Sequence, residues 1–169
     1  RELKREILVD AFRRIAKVTA DLPAVAASPE QGYRLRARLH TENGRAGFYL
    51  EGTHTLCDAA RTRQLLPVST DAAAAVLEAL GPRRTHCAGI VISENIAATQ
   101  RVLHLEPREG ARLDDAAAAV ASIVGDSAAG VTGVTTVTKG ALGTLAGAEW
   151  VSEHAATMFA GMGPHPAET

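Results

Sequence analysis

Residues 32–58 read GYRLRARLHTENGRAGFYLEGTHTLCD, and the way this stretch folds decides the architecture of the chain. Asn43-Gly44 tolerates the two positive φ angles of a type I′ turn, so the flanking runs are expected to form a hairpin with a two-residue loop. That register sets Glu42 opposite Arg45, Leu39 opposite Phe48 and Ala37 opposite Leu50. Because side chains alternate along a strand, the other face pairs Arg38 with Tyr49, Arg36 with Glu51 and Arg34 with Thr53. The hairpin therefore sorts its own chemistry, with one apolar face for a core and one cationic face for solvent or a ligand.

Upstream, Leu3, Ile7, Leu8, Ala11, Phe12 and Ile15 recur at spacings of three and four, which predicts an amphipathic helix over 2–17. A linker with Pro23 and Pro29 separates it from the hairpin. Downstream, the run STDAAAAVLEALGP predicts a short Ala-rich helix capped by Ser69 or Thr70 and stopped at Gly81-Pro82. CAGIVISENI and TQRVLHLE read as two antiparallel strands. A second Ala-rich helix begins at Leu113-Asp114 and closes at Gly125, and GVTGVTTVT and GTLAGAEWVSE give two more strands, with Lys139-Gly140 near their turn.

The order of elements lacks regular β-α-β alternation. It predicts an α+β fold of antiparallel β-sheets with an N-terminal helix and two short Ala-rich helices. Three regions are expected: helix and linker over 1–31, a central α+β domain over 32–156, and a Gly/Pro-rich linker over 157–169 leading toward a further domain. The N-terminal RELKREILVDAFRRIAKV has neither an initiator Met nor a signal-peptide core, and reads as the interior of a longer protein.

Of 169 residues, 46% are hydrophobic and only 4% aromatic, so Ala, Val, Leu and Ile must fill the core. No apolar run approaches the roughly 18 residues of a membrane span, so no membrane partner is expected. Cys57 and Cys87, in a chain without secretory features, point to a reducing cytoplasm. The net charge of −1 hides an asymmetry: residues 1–84 carry 14 Lys and Arg against 10 Asp and Glu, whereas residues 85–169 carry 4 against 9. One half is thus suited to a polyanion.

Four chemistries can be weighed on the residues. GVTGVTTVTKG has neither glycine spacing of a phosphate loop, and its β-branched density reads as strand. His54-x-x-Cys57 and His86-Cys87 offer zinc-type ligands, but adjacent His86 and Cys87 point to opposite faces of a strand, and Cys87 beside Ala88, Ile90 and Ile92 reads as a buried small side chain. Cys57 with His54 or His40 lacks an evident third orienting group for nucleophilic catalysis. Arg34, Arg36 and Arg38 recur about 6.5–7 Å apart on one strand face, near a single-strand phosphate repeat, and Tyr33 and Tyr49 offer planar groups for stacking. The alternative for this last set is a solvated face on which Glu51 and Glu42 neutralise part of the charge.

The same residues carry a family resemblance. Pro29, Gly32-Tyr33-Arg34, Arg36, Arg38, Gly47-Phe48 and Leu56-Cys57 resemble the segment that follows the iron–sulfur cysteine cluster in the RNA uracil-5-methyltransferases, which use S-adenosylmethionine to make 5-methyluridine in ribosomal and transfer RNA. The leading helix resembles the family's helix just after its clustered cysteines, and SENIAATQRVLHLE and GVTGVTTVT fit the central domain more loosely. The resemblance implies that the chain is that central domain, gripping structured ribosomal or transfer RNA with Tyr33, Arg34, Arg36, Arg38 and Tyr49. It implies that Cys57 is the fourth thiolate of a 4Fe–4S cluster whose other three cysteines lie upstream, so Cys57 is a free thiol here and no cofactor is expected on this chain alone. It places the nucleophilic cysteine, the general base and the S-adenosylmethionine site in a methyltransferase domain beyond Thr169. The competing expectation is a structural or protein-interaction domain with a cationic hairpin face.

Overall fold

The computed structural model describes residues 2–23, 25, 29–125, 130–138 and 140–153. The chain divides into two compact units, residues 1–30 and 31–169. The first holds α1 (Glu2–Ala11), which continues as a π-helical turn over Phe12–Ala16 and ends at Lys17 with φ 57°. The periodicity of 2–17 is thus helical throughout, but its last turn is wider than an α-helix. Within this unit Arg5 Nε donates to the Leu22 carbonyl at 3.0 Å.

The second unit is α+β. Its strands are β1 (Arg36–Glu42), β2 (Arg45–Tyr49), β3 (Leu56–Asp58), β4 (Cys87–Glu94), β5 (Arg101–Pro107), β6 (Gly133–Thr138) and β7 (Ala141–Gly147). They form one sheet in the order β3-β2-β1-β4-β5-β6-β7, where separate strand pairs were expected. Every pair is antiparallel except β5 with β6. Their connection contains a 3₁₀ turn at Asp114–Ala116 and α4 (Ala117–Ala121), which supplies the length that a parallel crossover requires. The remaining helices are α2 (Ala59–Thr62) and α3 (Pro67–Ala79), the latter followed by a 3₁₀ segment, Gly81–His86.

The first hairpin turns at Asn43 and Gly44, with φ 51° and 75°, and pairs Glu42 with Arg45 as the sequence predicts. Its outer rungs differ. β2 ends at Tyr49, and Leu50–Thr55 fold into a turn closed by Leu50 N–H to the Thr55 carbonyl at 3.0 Å, so the chain returns as β3. Glu51 and Thr53 therefore never reach Arg36 and Arg34; β1 instead pairs along Arg36–His40 with β4.

One face of the sheet is the core face. Ala37 and Leu39 of β1, Ile90 and Ile92 of β4, Leu103 and Leu105 of β5 and Val134 of β6 cluster with Ala72, Ala73, Val76 and Leu77 of α3 and Val120 of α4. The alanines of α3 explain how few aromatics the core needs, since small side chains bring the helix close to a sheet of branched ones. Ser69 does not cap α3. The helix starts at Pro67 after Leu66 at the N-cap, where the missing proline N–H costs nothing.

Ser69 faces inward instead and meets a buried ion pair. Glu94 and Arg101 are direct cross-strand partners of β4 and β5, with side chains 1% and 0% exposed. Glu94 Oε2 accepts from Ser69 Oγ at 2.5 Å, from Arg101 Nε at 2.7 Å and also from Arg101 Nη2. Arg101 Nη1 donates to the Gly130 carbonyl at 3.3 Å. Replacing one partner leaves the other charge buried without its match, so Arg101→Met should cost about 3–5 kcal/mol in urea unfolding. Glu94→Leu combined with Arg101→Met should restore most of that loss; a single variant as stable as the parent chain would contradict the role given to the pair.

Candidate nucleic-acid interface

Among the described residues of the 31–169 unit, no helix packs on the face opposite the core. Alternation within the observed register places Arg36, Arg38 and His40 of β1, Tyr49 of β2, Val91 and Ser93 of β4, Val102, His104 and Glu106 of β5 and Thr135 of β6 on it. The cationic side predicted for the hairpin is thus one edge of a wide open sheet face.

Each expected contact residue has a distinct setting. Arg38 reaches across β4 at Gly89 and donates from Nε to both carboxylate oxygens of Glu106, at 2.9 and 2.8 Å. A side chain at Gly89 would run into that carboxylate, so the glycine makes the crossing possible. Arg36 lines a groove farther along the face, and among the described residues no carboxylate pairs with it. Tyr49 stacks on His40 with ring centroids 4.0 Å apart and planes 13° from parallel, and His54 meets Tyr49 edge-on at 5.5 Å. Tyr33 is exposed ahead of β1.

Arg34 parts from the other two arginines. Its backbone N–H bonds to the Gln64 carbonyl at 3.0 Å, and its guanidinium carbon lies 5.6 Å from the centre of the Phe48 ring. Phe48 packs against the core, so Arg34 is engaged on the covered side of the sheet. The even spacing of three arginines holds in sequence, but only Arg36 and Arg38 lie within β1 and share its open face.

Cys57 is half-buried and free, and is the direct partner of Phe48 across β2 and β3. Direct partners project to the same side, which puts the thiol on the face opposite Arg36, Arg38 and Tyr49. His40 and His54, engaged with Tyr49, are therefore not brought together with Cys57. His86 is exposed while Cys87 is fully buried, its Sγ 3.2 Å from the Gly89 carbonyl. Burial pushes the Cys87 thiol above its ordinary value, in keeping with a packed side chain rather than a nucleophile. Among the described residues no group of three or more His, Cys, Asp or Glu side chains is placed to hold a metal.

The segment after β7 completes the face. The strand predicted over GTLAGAEWVSE ends at Gly147, and residues 148–153 run on as a strap. Ala148 N–H bonds to the Thr132 carbonyl at 2.9 Å, and the Ala148 backbone lies so close over Gly133 that no side chain fits there. Farther on, Ser152 N–H donates to Gln100 Oε1 and Glu153 Oε1 accepts from Ile96 N–H, both at 2.7 Å. The strap forms one wall of a groove of about 390 Å³ with Arg36, Ser93, His104, Thr135 and Trp150 among its lining residues. Trp150, Ser93 and His104 were not legible as site residues. The one available signal was a lone tryptophan between Glu149 and Val151 at the end of a strand run.

No helix of the described residues is long and apolar enough to cross a membrane. No protein-family model matches this chain, and no curated protein does either.

The face also sets its histidines. Burial lowers the pKa of His40, and Arg38 adds to the effect while Glu106 opposes it. Burial lowers that of His104, again with Glu106 opposing. His104 Nδ1 lies 3.0 Å from Thr135 Oγ1. Both rings thus stay neutral to lower pH in the folded domain than in the unfolded chain, which takes up protons first. Stability present above about pH 6.5 should therefore decline as pH falls through that value. NMR titration should give both histidines midpoints below about 6.5, with the His40 midpoint rising in Arg38→Met. A His40 midpoint above that value in the parent chain would contradict the environment described.

Proposed function

We propose that this chain is an RNA-contacting domain, the central non-catalytic part of an RNA (uracil-C5)-methyltransferase that works in the cytoplasm on structured ribosomal or transfer RNA. The observation that carries the reading is an uncovered sheet face on which Arg36 and Arg38 stand beside the Tyr49–His40 stack. Cations that track a backbone beside rings that accept bases are what single-stranded RNA segments require. The likeness of residues 29–57 to the family's segment supports the same reading from the sequence side.

Arg36 is the more direct phosphate contact, because Arg38 is already engaged with Glu106 and would have to exchange that partner. Arg34 is a positioning residue, holding the start of β1 against Phe48. Residues 1–169 hold two cysteines, Cys57 and Cys87, where a 4Fe–4S cluster takes four thiolates. Cys57 would supply one thiolate of four, from the sheet face opposite the RNA-facing arginines. S-adenosylmethionine and the reacting uracil belong, on this reading, to a methyltransferase domain outside residues 1–169, and no run here matches that family's glycine-rich donor motif. A role in holding another protein is favoured by one observation: Leu3, Ile7, Phe12 and Ile15 of the N-terminal helical unit are exposed.

The 169-residue chain should retain structured RNA carrying single-stranded loops at low salt. Affinity should fall steeply between about 50 and 200 mM salt. Arg36→Met should weaken binding several-fold and shallow the salt dependence by about one counterion, whereas Glu109→Gln on the exposed β5–α4 connection should do neither. No retention at low salt, or equal losses from the two substitutions, would refute the reading.

A further inference from the structure

Resting on that RNA-binding reading, we infer that the groove walled by the 148–153 strap is a pocket for one unpaired nucleotide of the RNA, its base stacked on Trp150 and its phosphate held by Arg36. Trp150 is 68% exposed, which leaves much of its ring surface open for stacking. It is nevertheless carried on anchored backbone. The Ser152 N–H donates to Gln100 Oε1 at 2.7 Å, and the side chain of Glu149, next to Trp150, accepts from Thr144 Oγ1 at 2.8 Å. The Ser152 carbonyl also accepts from Asn95 Nδ2 at 3.5 Å. Asn95 is itself fixed, since its Oδ1 accepts from the N–H groups of Thr99 and Gln100, both at 2.9 Å. The indole is therefore held at the rim by a fastened loop, so its backbone carries little ordering cost on binding.

The rest of the groove suits a nucleotide. Val91, Val102 and Leu142 give an apolar floor, and a volume of about 390 Å³ lies in the range of small-ligand pockets. Arg36 supplies a cation at the β1 side with which no described carboxylate forms an ion pair. Ser93 offers a hydroxyl and Glu149 a carboxylate, groups able to bond the polar edge of a base. Thr135 is already bonded to His104, whose pKa burial lowers, so that side of the floor favours an uncharged imidazole. A base stacked inside a duplex has no free ring face to offer Trp150, so the occupant must come from a loop, a bulge or a single strand.

Trp150 is the chain's one tryptophan, so emission excited at wavelengths that Tyr33 and Tyr49 do not absorb reports on this groove. The chain should be titrated with a fluorescently labelled single-stranded RNA of roughly ten nucleotides, following label anisotropy and Trp emission together. We expect saturable quenching with the same midpoint as the anisotropy change, and weaker quenching by a blunt duplex. Trp150→Ala should lose about tenfold in affinity with an unchanged melting temperature, and Trp150→Phe should recover most of it. RNA that raises anisotropy while leaving Trp emission unchanged, binds Trp150→Ala as tightly as the parent, or quenches equally as a duplex would overturn the pocket and leave the RNA reading standing. No anisotropy change with any RNA at low salt would overturn both.

Discussion

The cross-strand pairing of Arg101 with Glu94 is the constraint on which the domain depends. Two opposite charges are buried where β4 ends and β5 begins, and the carboxylate is shared with Ser69 in the first turn of α3. A buried charge tolerates little displacement, because each ångström of misalignment forfeits attraction in a medium that offers no replacement. The pair therefore aligns β4 with β5 and seats α3 on one side of them. With α3 and α4 both on that side, no described helix of this unit covers the other side of the sheet.

What the free side can do follows from small residues as much as from charged ones. Gly89 lets the Arg38–Glu106 bridge pass over β4, and Gly133 lets the strap lie against β6. The first arrangement commits one arginine to an internal partner; the second raises a wall and an indole beside the arginine that is left. An otherwise flat sheet thereby acquires both a cationic edge and a recess, and the two are joined at Arg36. Tyr49, stacked on His40, extends the surface toward β3.

Much of this was legible in the sequence, for identifiable reasons. Asn43-Gly44 is a local signal that specifies turn type and register together, and it placed Leu39 and Phe48 on one side and Arg36, Arg38 and Tyr49 on the other. The α+β class followed from strand runs separated by Ala-rich helices. What was not legible depends on contacts distant in sequence. The end of β2 at Tyr49 is set by a turn that feeds β3, which diverts Glu51 and Thr53 from the arginines. Ser69 looks like a helix cap until Glu94 and Arg101 come up beneath it, 25 and 32 residues away. Arg34 shares the arginine spacing, but the chain entering β1 is tied to Gln64 and its side chain turns to Phe48. Lys139 and the tail 157–169, read as a turn residue and a linker, lie outside the described residues.

The central claim is that RNA meets the uncovered face and no other. Backbone and indole chemical-shift mapping on the isotopically labelled chain, with and without a single-stranded oligoribonucleotide, addresses it residue by residue. The account predicts shifts at Arg36, Arg38, Tyr49, His104 and the Trp150 indole N–H, with the α3 positions Ala72, Val76 and Leu77 unchanged. Shifts concentrated on α3, or on the Cys57 edge with Arg36 and Trp150 silent, would contradict it.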